Sequence, residues 1–273
     1  MIAACLAALA LTVSASPAAA SVTLGQLAVS PQTTCNGVFD TTQPTVTSGN
    51  TYVVPGAGTI TSWSHNAVTG PDQALALKIF RKVAEPARFQ IVGHDGPRPL
   101  AGGVLNTFPA SIPVKSGDIL GVSGTSSVDT ACTFAAAGES VRTINANLAD
   151  GESADFSSSS DNRVNVSAVF VYSNSFSFGK VKRNTERGTA TLTVDVPNPG
   201  VLTLSGKGVK TADAAPAKSV PAAGKVKLLI KAKGKKKRAL DETGKVKVGL
   251  NITYTPTGGD PTSQSRNLKL RKR

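Results

Sequence analysis

The sequence predicts an all-β protein made of two β-sandwiches, a jelly-roll-like one followed by an Ig-like one. Its residues are 40% hydrophobic but only 5% aromatic, the apolar set is dominated by Val, Ala and Leu, and Thr and Ser are plentiful, which favours strands over helices. Many short runs alternate polar and apolar residues at the period of a half-buried strand. Gly, Pro, Ser and Asp clusters separate these runs, as is typical of sandwiches and jelly rolls.

The first twenty residues are predicted to be a secretory signal peptide. Residues 2–13 form a short apolar run, and Ala18-Ala19-Ala20 follows it as a small-residue cleavage site. A transmembrane helix is the alternative, but the run is shorter than the roughly 20 residues that a bilayer requires. We therefore expect a secreted, cell-wall-associated protein without a transmembrane segment.

Two cysteines remain once Cys5 leaves with the signal peptide. In an oxidising compartment, an isolated pair such as Cys35 and Cys132 most often forms a disulfide. Two buried free thiols are the alternative.

Charge divides the chain into two halves. From Ser175 onward there are 22 Lys/Arg against 6 Asp/Glu, whereas the preceding residues carry a small net negative charge within the total of +13. Such asymmetry indicates a domain boundary. We predict domains at residues 21–173 and 174–273, called below the N-terminal and C-terminal halves.

The N-terminal half shows short strands separated by turns. A central stretch reads as a strand at 88–92, a long Gly/Pro loop, and then two runs, 112–114 and 119–122, around the turn cluster Lys115-Ser116-Gly117-Asp118. The two runs predict a hairpin. Trp63 lies on a predicted strand and is interpreted as a core residue rather than a ligand platform. The other predicted strands are 51–54, 59–64, 75–81, 104–108, 132–135 and 163–172.

The C-terminal half is simpler. Runs 188–197 and 200–206 flank Asn198-Pro199 and predict a second hairpin, and further strands are expected at 224–233, 244–256 and 265–270. In these later runs, Lys alternates with Val, Leu or Ile, so one face should be basic and the other buried.

Several motifs in this half carry a resemblance. They are Gly224-Lys225-Val226-Lys227, the triple lysine at 235–237, a second Gly-Lys-Val-Lys at 244–247, and the run Thr253-Tyr-Thr-Pro-Thr-Gly-Gly259 before a basic last strand. This third of the chain resembles a Lys-rich Ig-like module found at the ends of proteins secreted by high-GC Gram-positive bacteria (actinobacteria). The resemblance implies an extracellular β-sandwich and supplies no catalytic residue.

Catalytic signals are sparse, and we predict a protein that is not an enzyme. His65 and His94 are the only histidines, too few for a zinc site of three or four ligands. His94-Asp95-Gly96 could supply a base or a metal ligand, but we interpret it as an exposed loop with an Asp-Gly turn. A hydrolase that uses carboxylates near Asp95 and Asp118 is the least favoured alternative, because spacing in sequence does not reveal spacing in space.

Calcium is the better metal candidate. Asp150, Glu152 and Asp155 place carboxylates in one short segment, as calcium prefers, although without EF-hand spacing. An ordinary acidic loop is the default interpretation, and no cofactor is predicted.

A basic run is the strongest charge feature: Lys231, Lys233, Lys235, Lys236, Lys237 and Arg238. One interpretation is a solvated hairpin tip whose lysines keep a sheet edge from pairing. The other is attraction to an extracellular polyanion. No aromatic residue lies among the lysines, so sequence-specific nucleic-acid binding is not expected. Together these features predict a secreted binding or adhesion protein with an anionic cell-wall polymer or glycan as partner; a purely structural envelope protein is the alternative.

Overall fold

A computed structural model describes residues 20–30, 35–125, 128–210 and 217–273. Cys5 and the predicted signal peptide, apart from Ala20, lie outside these ranges. The described residues form nineteen strands and one short helix, so the predicted all-β class is confirmed. None of the described residues belongs to a helix long and apolar enough to cross a membrane.

Eleven antiparallel strands of the N-terminal half form two sheets. One has the order β1-β11-β3-β6 and the other the order β10-β8-β2-β7-β4-β5-β9. The strands are β1 (Ser21–Gln26), β2 (Phe39–Thr42), β3 (Gly58–Asn66), β4 (Ala74–Ala84), β5 (Arg88–Pro99), β6 (Leu105–Val114), β7 (Ile119–Gly124), β8 (Thr133–Ile144), β9 (Ser153–Asp155), β10 (Ser157–Val164) and β11 (Val166–Tyr172).

One apolar core lies between these two sheets. Trp63 and Phe170 from the smaller sheet and Leu77 and Ile79 from the larger one are fully buried in the same cluster. The interpretation of Trp63 as a core residue is confirmed. Two sheets around a shared core make a β-sandwich.

Eight strands and the helix form the C-terminal half. Its sheets have the orders β12-β13-β17-β15 and β16-β14-β18-β19, and they enclose a second apolar core. The elements are β12 (Ser177–Asn184), β13 (Thr189–Val196), β14 (Gly200–Ser205), β15 (Val209–Lys210), β16 (Ala217–Val220), β17 (Gly224–Ala232), α1 (Lys235–Thr243), β18 (Lys245–Pro256) and β19 (Thr262–Arg271). The boundary between the halves, and the jelly-roll or Ig-like type of each, stay predictions.

Both predicted hairpins are wrong. The strands on either side of the Lys115–Asp118 turn belong to different sheets, since β6 pairs with β3 while β7 pairs with β2 and β4. Likewise, β13 and β14 lie on either side of Asn198-Pro199 but do not pair with each other. β13 pairs with β12 and β17, whereas β14 pairs with β16 and β18. Each turn therefore crosses the sandwich. Alternation fixes the face that a residue occupies, but it does not identify the neighbouring strand.

The predicted strand at 163–172 divides at Asn165, and the predicted strand at 51–54 contributes only a single bridge, from Val53 to Ile119. The buried Asn165 side chain accepts a hydrogen bond from the Ala28 amide at 3.0 Å and donates to the Asn66 carbonyl at 2.8 Å. These bonds satisfy backbone groups where the chain passes from β10 in one sheet to β11 in the other.

The predicted disulfide is confirmed. Cys35 and Cys132 are bridged, with their Cα atoms 5.8 Å apart, and the bridge spans 97 residues of sequence. It ties the segment before β2 to the residue that directly precedes β8.

Candidate functional site

The basic run lies partly on a helix that the sequence analysis missed. Lys231 is on β17, Lys233 follows that strand, and the other four cations occupy the first turn of α1. The prediction of a simple hairpin tip is therefore wrong. Only one side chain of the helix, Leu240, is buried in the core, which leaves too few apolar positions to reveal a helical period.

The start of α1 concentrates positive charge. The helix has no side-chain N-cap and no acidic residue in its first turn. The N-terminal end of a helix carries a partial positive charge, which Lys235, Lys236 and Lys237 add to instead of offsetting. All six cations of the run are exposed.

One carboxylate neutralises part of this region. Asp241 lies 2.6 Å from the ammonium groups of both Lys237 and Lys272, and their hydrogen bonds, that of Lys237 first, lower its pKa to about 2. Within the described residues, the other five cations of the run form no ion pair. This leaves a surface able to attract an anion.

A second candidate site is a cavity of about 270 Å³ in the N-terminal half. Polar side chains from β4, β5 and β7 and from the segment before β9 line it. His94 is one of them, and it lies on β5, opposite Lys78 on β4. The prediction that His94-Asp95-Gly96 is a loop is therefore wrong, because β5 continues to Pro99. The polar lining residues are Lys78, His94, Ser123, Thr125, Asn147 and Asp150.

Lys78 organises this cavity. Its buried ammonium group donates to the Asp40 carboxylate at 2.7 Å, the Asn147 side-chain oxygen at 2.6 Å and the Leu148 carbonyl at 2.7 Å. The three bonds use all three ammonium protons. Ser123 donates to the same Asn147 oxygen at 3.1 Å, and an amide oxygen is not a general base. Because these bonds use the protons of Lys78 and Ser123, a ligand would be bound by other polar groups of the lining, such as the Asn147 side-chain NH₂ and the Thr125 hydroxyl group.

The three calcium candidates do not assemble around a common point. Asp150 contacts His94 Nδ1 at 2.9 Å, Glu152 accepts a bond from the Ala149 amide, and Asp155 pairs with Arg88. No group of three or more His, Cys, Asp or Glu side chains that could hold a metal ion exists in the part of the chain described.

His65 occupies the core. Its Nδ1 lies 2.8 Å from the Asn165 carbonyl oxygen, which can only accept a hydrogen bond, so Nδ1 carries the proton. Burial lowers the pKa of His65 to about 4, with a smaller opposing effect of that bond. The ring is therefore neutral at neutral pH and closed to solvent.

The two carboxylates of the hydrolase alternative make separate contacts. Asp95 accepts from Trp63 Nε1 at 2.7 Å and forms an ion pair with Arg98, whose hydrogen bond is the first cause of the lowered pKa of Asp95. Asp118 is fully buried and binds Arg81 through both oxygens, at 2.7 and 2.9 Å. Each carboxylate thus stabilises a different part of the sandwich.

No protein-family model matches the chain, and no curated protein matches it either.

Sequence reasoning missed three polar residues that the structure makes important. In the alternation of the predicted strand at 75–81, Lys78 falls on the face opposite Leu77 and Ile79, yet it is buried as well. The sequence predicts a strand at Asn165 and a turn at Asn198, and it does not reveal that both side chains join separate segments. No local pattern distinguishes a buried asparagine from an exposed one.

Proposed function

We propose that the chain is a secreted, non-catalytic binding protein of the cell envelope. Its signal peptide would direct export, and its basic C-terminal half, whose sequence resembles the actinobacterial Ig-like module, would hold it to anionic surface polymers. The observation that carries this proposal is the set of five exposed cations of the basic run that form no ion pair with any described residue. Polyanions attract such a surface in a salt-dependent manner.

A glycan is the second candidate ligand, and the cavity around Lys78 favours it. Its lining offers imidazole, carboxylate, amide and hydroxyl groups within about 270 Å³. A few convergent polar groups in a small pocket are typical of ligand sites, and sugar hydroxyls suit them. The purely structural envelope role remains the alternative if neither surface binds.

The test is sedimentation of the protein with purified cell walls at low and high salt. The variant Lys233→Gln/Lys235→Gln/Lys236→Gln should pellet several-fold less than wild type at low salt, and high salt should release the wild type. A matched control, Lys180→Gln/Lys182→Gln/Lys225→Gln, removes the same charge elsewhere on the same half. Equal losses in both variants would exclude the basic run as a specific anchor, and salt-resistant binding of all three proteins would favour the glycan site.

A further inference from the structure

A second set of cations forms a ladder on the last two strands. Lys245 and Lys247 on β18 lie directly opposite Arg271 and Lys269 on β19. All four side chains are exposed, while the residues between them on both strands are buried. The four therefore project from one face of the sheet, and we call them the basic ladder.

The basic ladder carries an electrostatic cost. Like charges directly opposite each other destabilise a strand pair. No carboxylate within the described residues forms an ion pair with any of the four, whereas Lys272, the next residue along, is paired with Asp241. Neighbouring strands lie about 4.8 Å apart and alternate residues about 6.8 Å apart along a strand. Four charges of one sign thus occupy one small patch.

The same face continues into a polar depression. The next two cross-strand pairs after the ladder are Gly249 with Asn267 and Asn251 with Ser265. These four residues line a depression of about 300 Å³ together with Lys207 from the loop after β14. Its side chains offer amide, hydroxyl and ammonium groups next to the row of cations.

Gly249 has no structural reason to be glycine. Its φ is not positive, and a Cβ there would meet only the Asn267 side-chain oxygen, at 3.7 Å. Glycine weakens the interior of a strand, so its presence without a steric need requires another explanation. The missing side chain opens the floor of the depression.

We propose that the basic ladder and the polar depression together bind a linear phosphodiester polymer whose repeat carries hydroxyl groups. The ladder binds successive phosphates, since Lys and Arg form charge-assisted hydrogen bonds with phosphate oxygens. The depression accepts the hydroxyl-bearing part of the repeat. None of the paired residues on these four rungs is aromatic, so the face provides no base-stacking platform.

This proposal rests on the proposed attraction to anionic polymers but places it on a different surface.

The first experiment titrates the full chain with a glycerol phosphodiester oligomer. Lys247→Gln/Lys269→Gln should weaken binding about tenfold at low salt and reduce the slope of log K against log salt by about 1.4, the loss of two phosphate contacts. The control Lys225→Gln/Lys227→Gln removes equal charge from exposed positions of β17 and should change affinity less than about twofold.

The second experiment tests the depression. Gly249→Leu fills its floor and should weaken binding of the oligomer severalfold without changing the salt slope, because no phosphate contact is lost. Asn267→Ala, at an exposed position, removes an amide group from the lining without filling the depression. It should likewise weaken binding without changing the salt slope. A single-stranded oligodeoxynucleotide with the same number of phosphates should bind more weakly than the glycerol oligomer and should respond to the ladder variant only.

The outcomes separate the two proposals. Equal weakening by the ladder variant and its control shows diffuse attraction, which overturns the ladder while leaving the proposed function intact. Unchanged affinity of both depression variants, or equal affinity for the two polymers, overturns the role of the depression. A wild-type chain that does not pellet with cell walls at low salt overturns the proposed function itself.

Discussion

The two halves differ in where their charged side chains lie. The N-terminal half buries charged groups between and beside its sheets, including the pairs Lys78–Asp40 and Arg163–Glu139. In the C-terminal half, no charged side chain is buried among the residues described, and the buried polar side-chain groups belong to Asn198 and Tyr254. Its many cations lie outside an apolar core.

Charged groups therefore have different roles in the two halves: stabilising the fold in one and remaining available for binding in the other. The buried pairs of the N-terminal half hold irregular segments against the sandwich, as Lys78 holds the segment at Asn147 and Leu148. Removing one partner of such a pair leaves an uncompensated charge and costs several kcal/mol. Exposed cations of the C-terminal half contribute little to folding and remain available for binding.

Asn198 connects the two halves. Its side chain accepts a hydrogen bond from the Ala57 amide at 2.7 Å and donates to the Ala57 and Ser173 carbonyls, both at 2.9 Å. Its own backbone is held by the Tyr254 hydroxyl group. One turn of the C-terminal half is thereby fixed to the N-terminal half.

The largest expected effect is loss of the disulfide. Cys35→Ala/Cys132→Ala should lower the free energy of unfolding of the N-terminal half by about 4–5 kcal/mol, because the bridge restricts a long loop of the unfolded chain. Trp63 is the only tryptophan and lies in the core of the N-terminal half, so its fluorescence during urea denaturation reports the unfolding of this half specifically. A midpoint equal to that of the wild type would contradict the prediction.

Removal of Asp40 should have the next largest effect. Asp40→Ala leaves the buried Lys78 ammonium without its carboxylate and should destabilise the N-terminal half by about 4 kcal/mol. The same denaturation assay provides the measurement. The matched control is Asp241→Asn, which removes an exposed partner of Lys237 and Lys272 and should leave the Trp63 transition in place.

Acid should destabilise the N-terminal half through His65. Its pKa is about 4 when folded and about 6.5 ordinarily, so between these values the unfolded chain binds more protons. Stability is therefore fully present above pH 6.5 and falls as pH decreases toward 4, by about 3 kcal/mol over the window. His65→Asn or His65→Gln should flatten this slope, whereas His94→Gln, at the half-exposed second histidine, should preserve it.

The smallest expected effect concerns the basic surface alone. Asp241→Asn removes the carboxylate that pairs with Lys237 and Lys272, so more salt should be needed to release the protein from cell walls. Sedimentation at a series of salt concentrations measures the change. Release at a lower salt concentration than the wild type requires would show that Asp241 organises the basic surface instead of neutralising it.

Sequence patterns predicted the features of this protein that depend on residue type and on the spacing of residues along the chain. Alternation in Gly224–Ala232 correctly predicted a strand with lysines on one face, and the isolated cysteines correctly predicted their bridge. The local excess of lysines at 231–238 identified the basic run. The polar depression near Gly249 gave no signal, because its lining comes from cross-strand neighbours and a separate loop.

The sequence by itself determined the all-β class and the apolar face of regularly alternating strands such as β13 and β17, since both follow from side-chain period and turn chemistry. Only the tertiary structure decided which strands are neighbours. The turns at Asp118 and Asn198 cross between sheets because long-range bonds, to Arg81 and to Ala57, hold them there. The same long-range pairing buries Lys78 and aligns Lys247 with Lys269, so the candidate sites exist only in the folded chain.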